Sequence, residues 1–323
     1  MPTEYRIGFW NLENLFDIED YPHRTDKLQR AIGKDLKGWT QALLDKKISQ
    51  LASVICQMNG GKGPDLLGVC EVENEHVMGL LVQALAPLNR NYKVAHHDTP
   101  DRRGIDVGFI YDDDLFDVEK SFYHVVMRRT ATRDLLQVNF MTQHGRRFVV
   151  VGNHWPARIP EVLQTAVYRA IAGETLAYFH QRILEVHGKD TPVLAMGDFN
   201  DEPFDRSLVA YALSARDRAK VVNARSTPRF LNLMWPLMGQ GIATHYYGNI
   251  PNVLDQFLAN KNLLKQTAPI RVLPGSVAIL RFPEMVDTGD YPRPIRFGGM
   301  GKPVNQSGFS DHFPIAVTVV EAD

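Results

Sequence analysis

The sequence predicts an α/β protein, and three observations predict it. Apolar runs of strand length recur along the chain, and each of several ends in a polar or acidic residue. Between them lie stretches with apolar residues at helical spacing, near 40–58 and 161–186. No Pro/Ser-rich linker, charge block, low-complexity tract or internal repeat divides the 323 residues, so one domain spanning 1–323 is expected.

Taken in order, residues 5–12 read as a first strand that ends in Asn11, Glu13 and Asn14. An asparagine in a buried strand needs a partner, either neighbouring backbone or another group. Residues 17–38 are polar and irregular and read as a surface loop. Thr40 can cap a helix running to about Met58, with Ile48, Leu51, Ile55 and Met58 on one face. Gly60–Pro64 breaks it; the stretch lacks the spacing and the Ser or Thr of a phosphate loop. Asp65–Glu71 is a short apolar strand ending in an acid. Glu71 and Glu73 alternate about Val72, so only one should face a site at the strand end, and Glu71 is that one. A helix follows over 74–86, whose first turn Glu73 could instead begin.

Residues 92–97 and 105–111 form a strand pair about a turn at 98–104, with Asp106 inside an apolar run. Residues 138–141 and 148–152 pair about Gly145, and the second strand delivers His154. The long helix at 161–186 precedes Val193-Leu-Ala-Met-Gly-Asp-Phe-Asn-Asp201, an apolar run that breaks at Gly197 into Asp198, Asn200 and Asp201. Thr244–Gly248 and Asn252–Leu258 read as two more strands, with Asp255 centred in the second. Residues 267–308 are rich in Pro and Gly and read as an irregular excursion. The last strand, Phe313–Val320, follows Ser310-Asp311-His312.

The strand ends thus offer Asn11, Glu71, His154, Asp198 with Asn200, Asp255, and Asp311 with His312. Loops at strand ends are where α/β proteins keep their chemistry. Each position has a plainer reading as a turn cap or a satisfied core residue; the recurrence favours a site. The set is rich in oxygen, contains no cysteine ligand, and suits Mg²⁺ or Mn²⁺ better than zinc. With two histidines to move or stabilise protons, it fits hydrolysis of a phosphate ester, an anion that water attacks only with electrostatic help.

The formal net charge of −1 implies no broad basic surface. The pairs Arg102-Arg103, Arg128-Arg129 with Arg133, and Arg146-Arg147 read first as solvated surface. Arg102, Arg103 and Arg158 flank the motif strands and could grip phosphate through bidentate hydrogen bonds. Trp155, Tyr246 and Tyr247 are either core or base-stacking groups, with core favoured. Cys56 and Cys70 lie in apolar runs and read as free thiols. No apolar run is long enough to span a membrane and no leader precedes the first strand, so a cytoplasmic protein is expected.

Trp10-Asn11-Leu-Glu-Asn-Leu-Phe16, Gly68-Val-Cys-Glu71, Arg103-Gly-Ile-Asp-Val107, Gly152-Asn-His154, Gly197-Asp-Phe-Asn200, Leu254-Asp255-Gln-Phe and Ser310-Asp-His312 resemble, in this order, the motifs of the endonuclease/exonuclease/phosphatase superfamily. The resemblance implies a four-layer sandwich, two packed mixed β-sheets flanked by helices, with the site at one end. It implies Glu71 as a metal ligand, Asn11 supporting the ligand shell or phosphate, and Asp311 completing the acidic pocket directly or through water. It implies Asp198 and Asn200 positioning the attacking water and binding phosphate oxygens, and His154 and His312 on the scissile phosphate. Asp255 would fix the His312 tautomer, and by its position Asp106 would do the same for His154. Cys70 replaces the usual Gln, and Gln256 the usual Tyr after Asp255. The activity implied is a metal-dependent phosphodiesterase, with DNA or RNA as leading substrate and a phosphomonoester, or a lipid or inositol phosphate, as the alternative.

Overall fold

In a computed structural model, residues 2–129, 131–158 and 162–322 are described, the side chains of 162–164 aside. The chain lays down Thr3–Leu15 (β1), Leu66–Val72 (β2), Tyr92–His96 (β3) and Asp106–Asp112 (β4). It then crosses to Phe116–His124 (β5), Leu135–Thr142 (β6), Arg147–His154 (β7), Val193–Asp198 (β8), Ser214–Ala215 (β9) and Phe230–Asn232 (β10). A small hairpin, His245–Tyr247 (β11) with Ile250–Asn252 (β12), precedes Asp255–Asn260 (β13). Ile270–Val272 (β14), Ala278–Ile279 (β15) and Ile315–Glu321 (β16) close the first sheet.

One sheet runs β14-β16-β1-β2-β4-β3, with β15 beside β16, and the other runs β5-β6-β7-β8-β13-β10-β9. Each has a parallel centre, β1 on β2 and β7 on β8, flanked by antiparallel strands. Both sheets are therefore mixed, and the chain forms the expected four layers. Period-two alternation does the layering. In β7, Val150 joins the core between the sheets while Val149 and Val151 face the opposite way; Leu194 and Met196 of β8 alternate likewise with Val193 and Ala195.

The outward face of the second sheet packs on Ala172, Leu176 and Ile183 of helix Val162–His187. The first sheet is covered by Leu44, Ile48, Leu51 and Ile55 of helix Gln41–Gly61, and by Val77, Met78 and Leu81 of helix Glu75–Ala84. Glycines set the distance between the sheets. A Cβ on Gly68 would lie 2.8 Å from Met196 Sδ, and one on Gly152 would lie 2.6 Å from Val107 Cγ1.

Several expectations change. The stretch 17–38 holds a short helix, Asp26–Ile32, capped by the Thr25 side chain, and its Ile32 packs with Phe16, Leu36 and Trp39. Thr40 stands at the next N-cap without a side-chain cap bond. Asn74, not Glu73, caps Glu75–Ala84; buried Glu73 pairs with Arg24 at 2.5 Å. Strand β5 went unread, and Thr244–Gly248 belongs to the outlying hairpin rather than to a main sheet. Residue 161, the expected start of the long helix, lies outside the described residues. Both cysteines are free. Among the described residues no helix is long and apolar enough to cross a membrane.

Candidate active site

Parallel centres put the C-terminal ends of β1, β2, β7 and β8 at one end of the sandwich, and the antiparallel β13 and β16 begin there. Register brings the residues together: Asp198 is opposite His154 on one side and Asp255 on the other. A Cβ on Gly197 would lie 2.1 Å from the Asn153 carbonyl, so only glycine lets β8 pass β7 there.

Glu71 reaches the cluster through a bulge. The β2–β4 register slips between Cys70 and Val72, and Glu71 takes φ +60°. A non-glycine residue held in this left-handed region is strained, and such strain collects at functional sites. Glu13, Asn14 and Asn200 share it, with φ of +50°, +60° and +51°. Glu71 Oε2 accepts the Asn14 amide at 3.0 Å.

Carboxylates and imidazoles then alternate across the pocket. The steps Glu71–His154, His154–Asp198, Asp198–His312 and His312–Asp311 measure 3.7, 3.8, 3.9 and 4.0 Å. Asn11 Nδ2 donates to Asp198 Oδ2 at 3.1 Å, while its Oδ1 accepts the Glu13 amide at 3.0 Å, so both readings of Asn11 hold. Asp198 Oδ1 also caps its own turn through the Asn200 amide, at 2.9 Å. The Asn200 side chain donates to the Trp155 carbonyl at 3.0 Å. Ser310 Oγ donates to the Asn11 carbonyl at 2.6 Å and Trp10 Nε1 to the His312 carbonyl at 2.8 Å, tying the last loop to β1.

The pKa values of the two histidines are displaced in opposite directions. Burial lowers the His312 pKa, but the Asp255 charge and its 2.7 Å hydrogen bond to Nδ1, with Asp198 and Asp311, carry it well above 6.5. Burial and the charges of Arg133, Arg103 and His312 push His154 well below its usual value. His154 Nδ1 has no hydrogen-bond partner. Burial, Asp255 and Glu71 raise Asp198 to about 7, against the pull of His312. Asp311 is lowered: burial opposes this, but His312, His245, Lys302 and Lys47 outweigh it.

The expected partner of His154 is corrected. Asp106 accepts the Thr99 amide at 3.0 Å and its hydroxyl at 2.5 Å, and sits 3.5 Å from His96. The strand end at which Asp106 begins points it to the 98–104 turn. Arg133, read as surface, is buried and holds the His154 and Trp155 carbonyls at 3.3 and 2.9 Å. Trp155 is core, edge-on to Phe199. Arg103 is at the rim, donating to Asn14 Oδ1 at 2.9 Å and 3.8 Å from Glu71. Arg158 stands beside the cluster with its donors on protein: Asn200 O at 2.8 Å, Asn252 Oδ1 at 3.1 Å and Asp205 Oδ2 at 2.9 Å.

Three polar groups near the cluster have no role in the sequence reading, although Glu13 stands in its first motif. Lys47 is fully buried, donates to the Glu13 carbonyl and lies 5.0 Å over the Phe297 ring. Burial lowers it to about 8 against the pull of Glu13, Asp311 and Glu71. A lysine on the Leu44–Leu51 stripe was the available signal. Glu13 binds the Phe297 and Gly298 amides at 2.8 and 3.2 Å, and burial with Asp311 raises it to about 7. The His245 ring lies 4.6 Å from that of His312, and burial with the His312 charge lowers it to about 4.

The donor set fits a divalent cation. Asp198, Asp255 and His312 place one ligand atom each within 4.8 Å of one another, but the Asp255–His312 hydrogen bond commits that pair to each other and leaves the carboxylates Glu71 and Asp311, at the two ends of the cluster, as the oxygen donors. Burial and the Asp255 and Glu71 charges raise Asp198, a cost that a cation held beside it would offset.

Solved structures share this architecture. An endonuclease/exonuclease/phosphatase family protein from Bacteroides thetaiotaomicron aligns with TM-score 0.58 at 15% identity, over 100% of both chains. The human Nocturnin catalytic domain with bound sulfate gives 0.58 at 16%, over 99% of this chain and 95% of that one. A mannosyl-6-phosphatase from Bacteroides thetaiotaomicron gives 0.54 at 16%, over 98% and 99%. No curated protein sequence matches the chain. A sequence model of the Endonuclease/Exonuclease/phosphatase family matches residues 6–321, from the first strand to the last, and the chain belongs to that family.

Proposed function

We propose that this phosphoesterase-fold protein is a single-domain, divalent-metal-dependent phosphodiesterase, with nucleic acid as its leading substrate. The observation that carries the reading is the pair of histidines flanking Asp198, His154 at 3.8 Å and His312 at 3.9 Å, with pKa values displaced in opposite directions. Hydrolysis of a phosphate ester needs a cationic donor for developing oxygen charge and a group able to take a proton from water. His312, held protonated by Asp255, is the donor and the acid for the leaving oxygen. Asp198, with a pKa near 7, is tuned to take the proton, and Asn11 and the Asn200 amide fix its two oxygens. Neutral His154 orients the phosphate from the opposite side of Asp198.

Glu71 and Asp311 would hold Mg²⁺ or Mn²⁺, with Asn11 bracing the shell. The ion, when bound, supplies positive charge for the phosphate oxygens. Arg103, at the open rim, is the arginine we assign to substrate. Arg158 we assign to bracing the Asn200 loop, since its donors are committed to protein acceptors.

Hydrolysis of bis-p-nitrophenyl phosphate and p-nitrophenyl phosphate, each with Mg²⁺, Mn²⁺ or EDTA, tests the reading. Metal-dependent cleavage of the diester is expected. Preference for the monoester would replace it by the phosphomonoesterase alternative, and turnover undiminished in EDTA would remove the metal.

A further inference from the structure

A groove of about 990 Å³ opens directly off the cluster, sharing Asn200 and His245 with it. Its walls carry large apolar side chains held in water: Phe204 is 56% exposed, Tyr247 72% and Ile250 64%. Apolar groups gathered on the wall of a groove mark a binding surface more than isolated ones do. Tyr247 and Ile250 are paired in register across the tip of β11–β12, and Phe204 projects from the loop after β8.

Most of the charges in the groove are already satisfied. Arg158 is shared among Asn200, Asn252 and Asp205. Arg169 pairs with Asp201 at 2.8 Å, and the Ser207 hydroxyl donates to Asp201 at 2.5 Å. Glu202 accepts the Val253 amide at 3.1 Å. Three acids line this surface, and Arg206, exposed with its guanidinium 5.7 Å over the Tyr211 ring, is the one arginine there without an acid beside it among the described residues. What the walls offer is apolar and aromatic area beside a phosphate site.

We propose that this groove is a subsite for an uncharged planar substituent of the substrate, a nucleobase, received between Phe204 and the Tyr247–Ile250 hairpin. The inference rests on the phosphoesterase reading only in seating the phosphate at the cluster. It makes the substrate a nucleotide or the end of a strand, one base lodged in the groove and the remaining phosphates directed away from it.

Calorimetric titration of the whole protein with adenosine 5′-monophosphate and with ribose 5-phosphate, both with Mg²⁺, tests the subsite. The nucleotide should bind at least about fivefold more tightly, the low end of what one base–aromatic stack contributes. Phe204→Ala and Tyr247→Ala should each erase most of that advantage and leave ribose 5-phosphate binding unchanged; both side chains are exposed, so the fold should survive. Equal affinities in the unmodified protein, or an advantage that persists in the double variant, would overturn the subsite. Phenyl phosphate binding as tightly as the nucleotide would overturn the nucleobase assignment. Because the readout is binding, a protein that shows the advantage yet cleaves no diester would refute the phosphodiesterase reading and leave the subsite standing.

Discussion

Replacing Asp255 by Asn keeps the shape of the pair with His312 and removes its charge. Asp255 is fully buried and meets His312 Nδ1 at 2.7 Å. A hydrogen bond to a charged group contributes about 1.5–3 kcal/mol, and one pKa unit corresponds to about 1.4 kcal/mol, so the His312 pKa should fall by about 1 to 2 units. Imidazole NMR through a pH titration reads this directly, and the pH–rate profile of diester cleavage should shift its alkaline limb by the same amount. The stability change has a definite sign. A histidine whose pKa rises on folding adds stability that is complete below its unfolded value of 6.5 and is lost as pH rises through the folded value. Asp255→Asn should therefore cost most stability in acid and least in alkali. Because Asp255 acts through His312, its effect on rate should nearly vanish in a His312→Ala background. Additive losses in the double variant, or a His312 shift below about half a unit, would refute the pairing.

Glu71→Ala should abolish metal-dependent turnover while circular dichroism and thermal midpoint stay near those of the parent protein; retained activity would remove Glu71 from the metal. His312→Ala should lower kcat by about 10²–10⁴, the usual contribution of an acid–base group, and a loss under about tenfold would contradict its role. Lys47→Met leaves the buried acids around it without their cation and should cost about 3–5 kcal/mol in urea unfolding near pH 7, and less at pH 6, where Glu13, raised to about 7, is mostly protonated. A cation on Glu71 and Asp311 would repel the proton that neighbouring Asp198 holds up to about pH 7, so metal affinity by titration calorimetry should rise with pH up to about 7 and flatten above it.

The fold and the cluster were legible for one reason: a polar residue ending an apolar run is costly unless it does something, and the chain repeats that cost at Asn11, Glu71, His154, Asp198 and Asp255. What stayed hidden were relations between distant segments. Alternation along β2 cannot show that a bulge turns Glu71 inward. Nothing near Arg133 in sequence shows that the loop after β7 will bury it against two carbonyls. Asp106 reads from sequence as lying inside a strand, whereas it opens β4, and its partner depends on how the 98–104 turn folds back. Strand β5 lies at a sheet edge with many residues exposed, so it lacks the apolar pattern that marks its neighbours.

The glycine spacing of the two sheets has a consequence for how the molecule comes apart. Asn11, Glu71, Asp311 and His312 ride on one sheet or its loops, and His154, Asp198 and Asp255 on the other. Neither half carries a working set alone, so the chemistry exists only where the two faces are closed. A ligand that bridges this seam is therefore a clasp on the whole structure. It should raise the free energy of global unfolding rather than merely quieten a loop, and any enlargement at Gly68 or Gly152 should silence the protein from its interior, without a single reacting group having been altered.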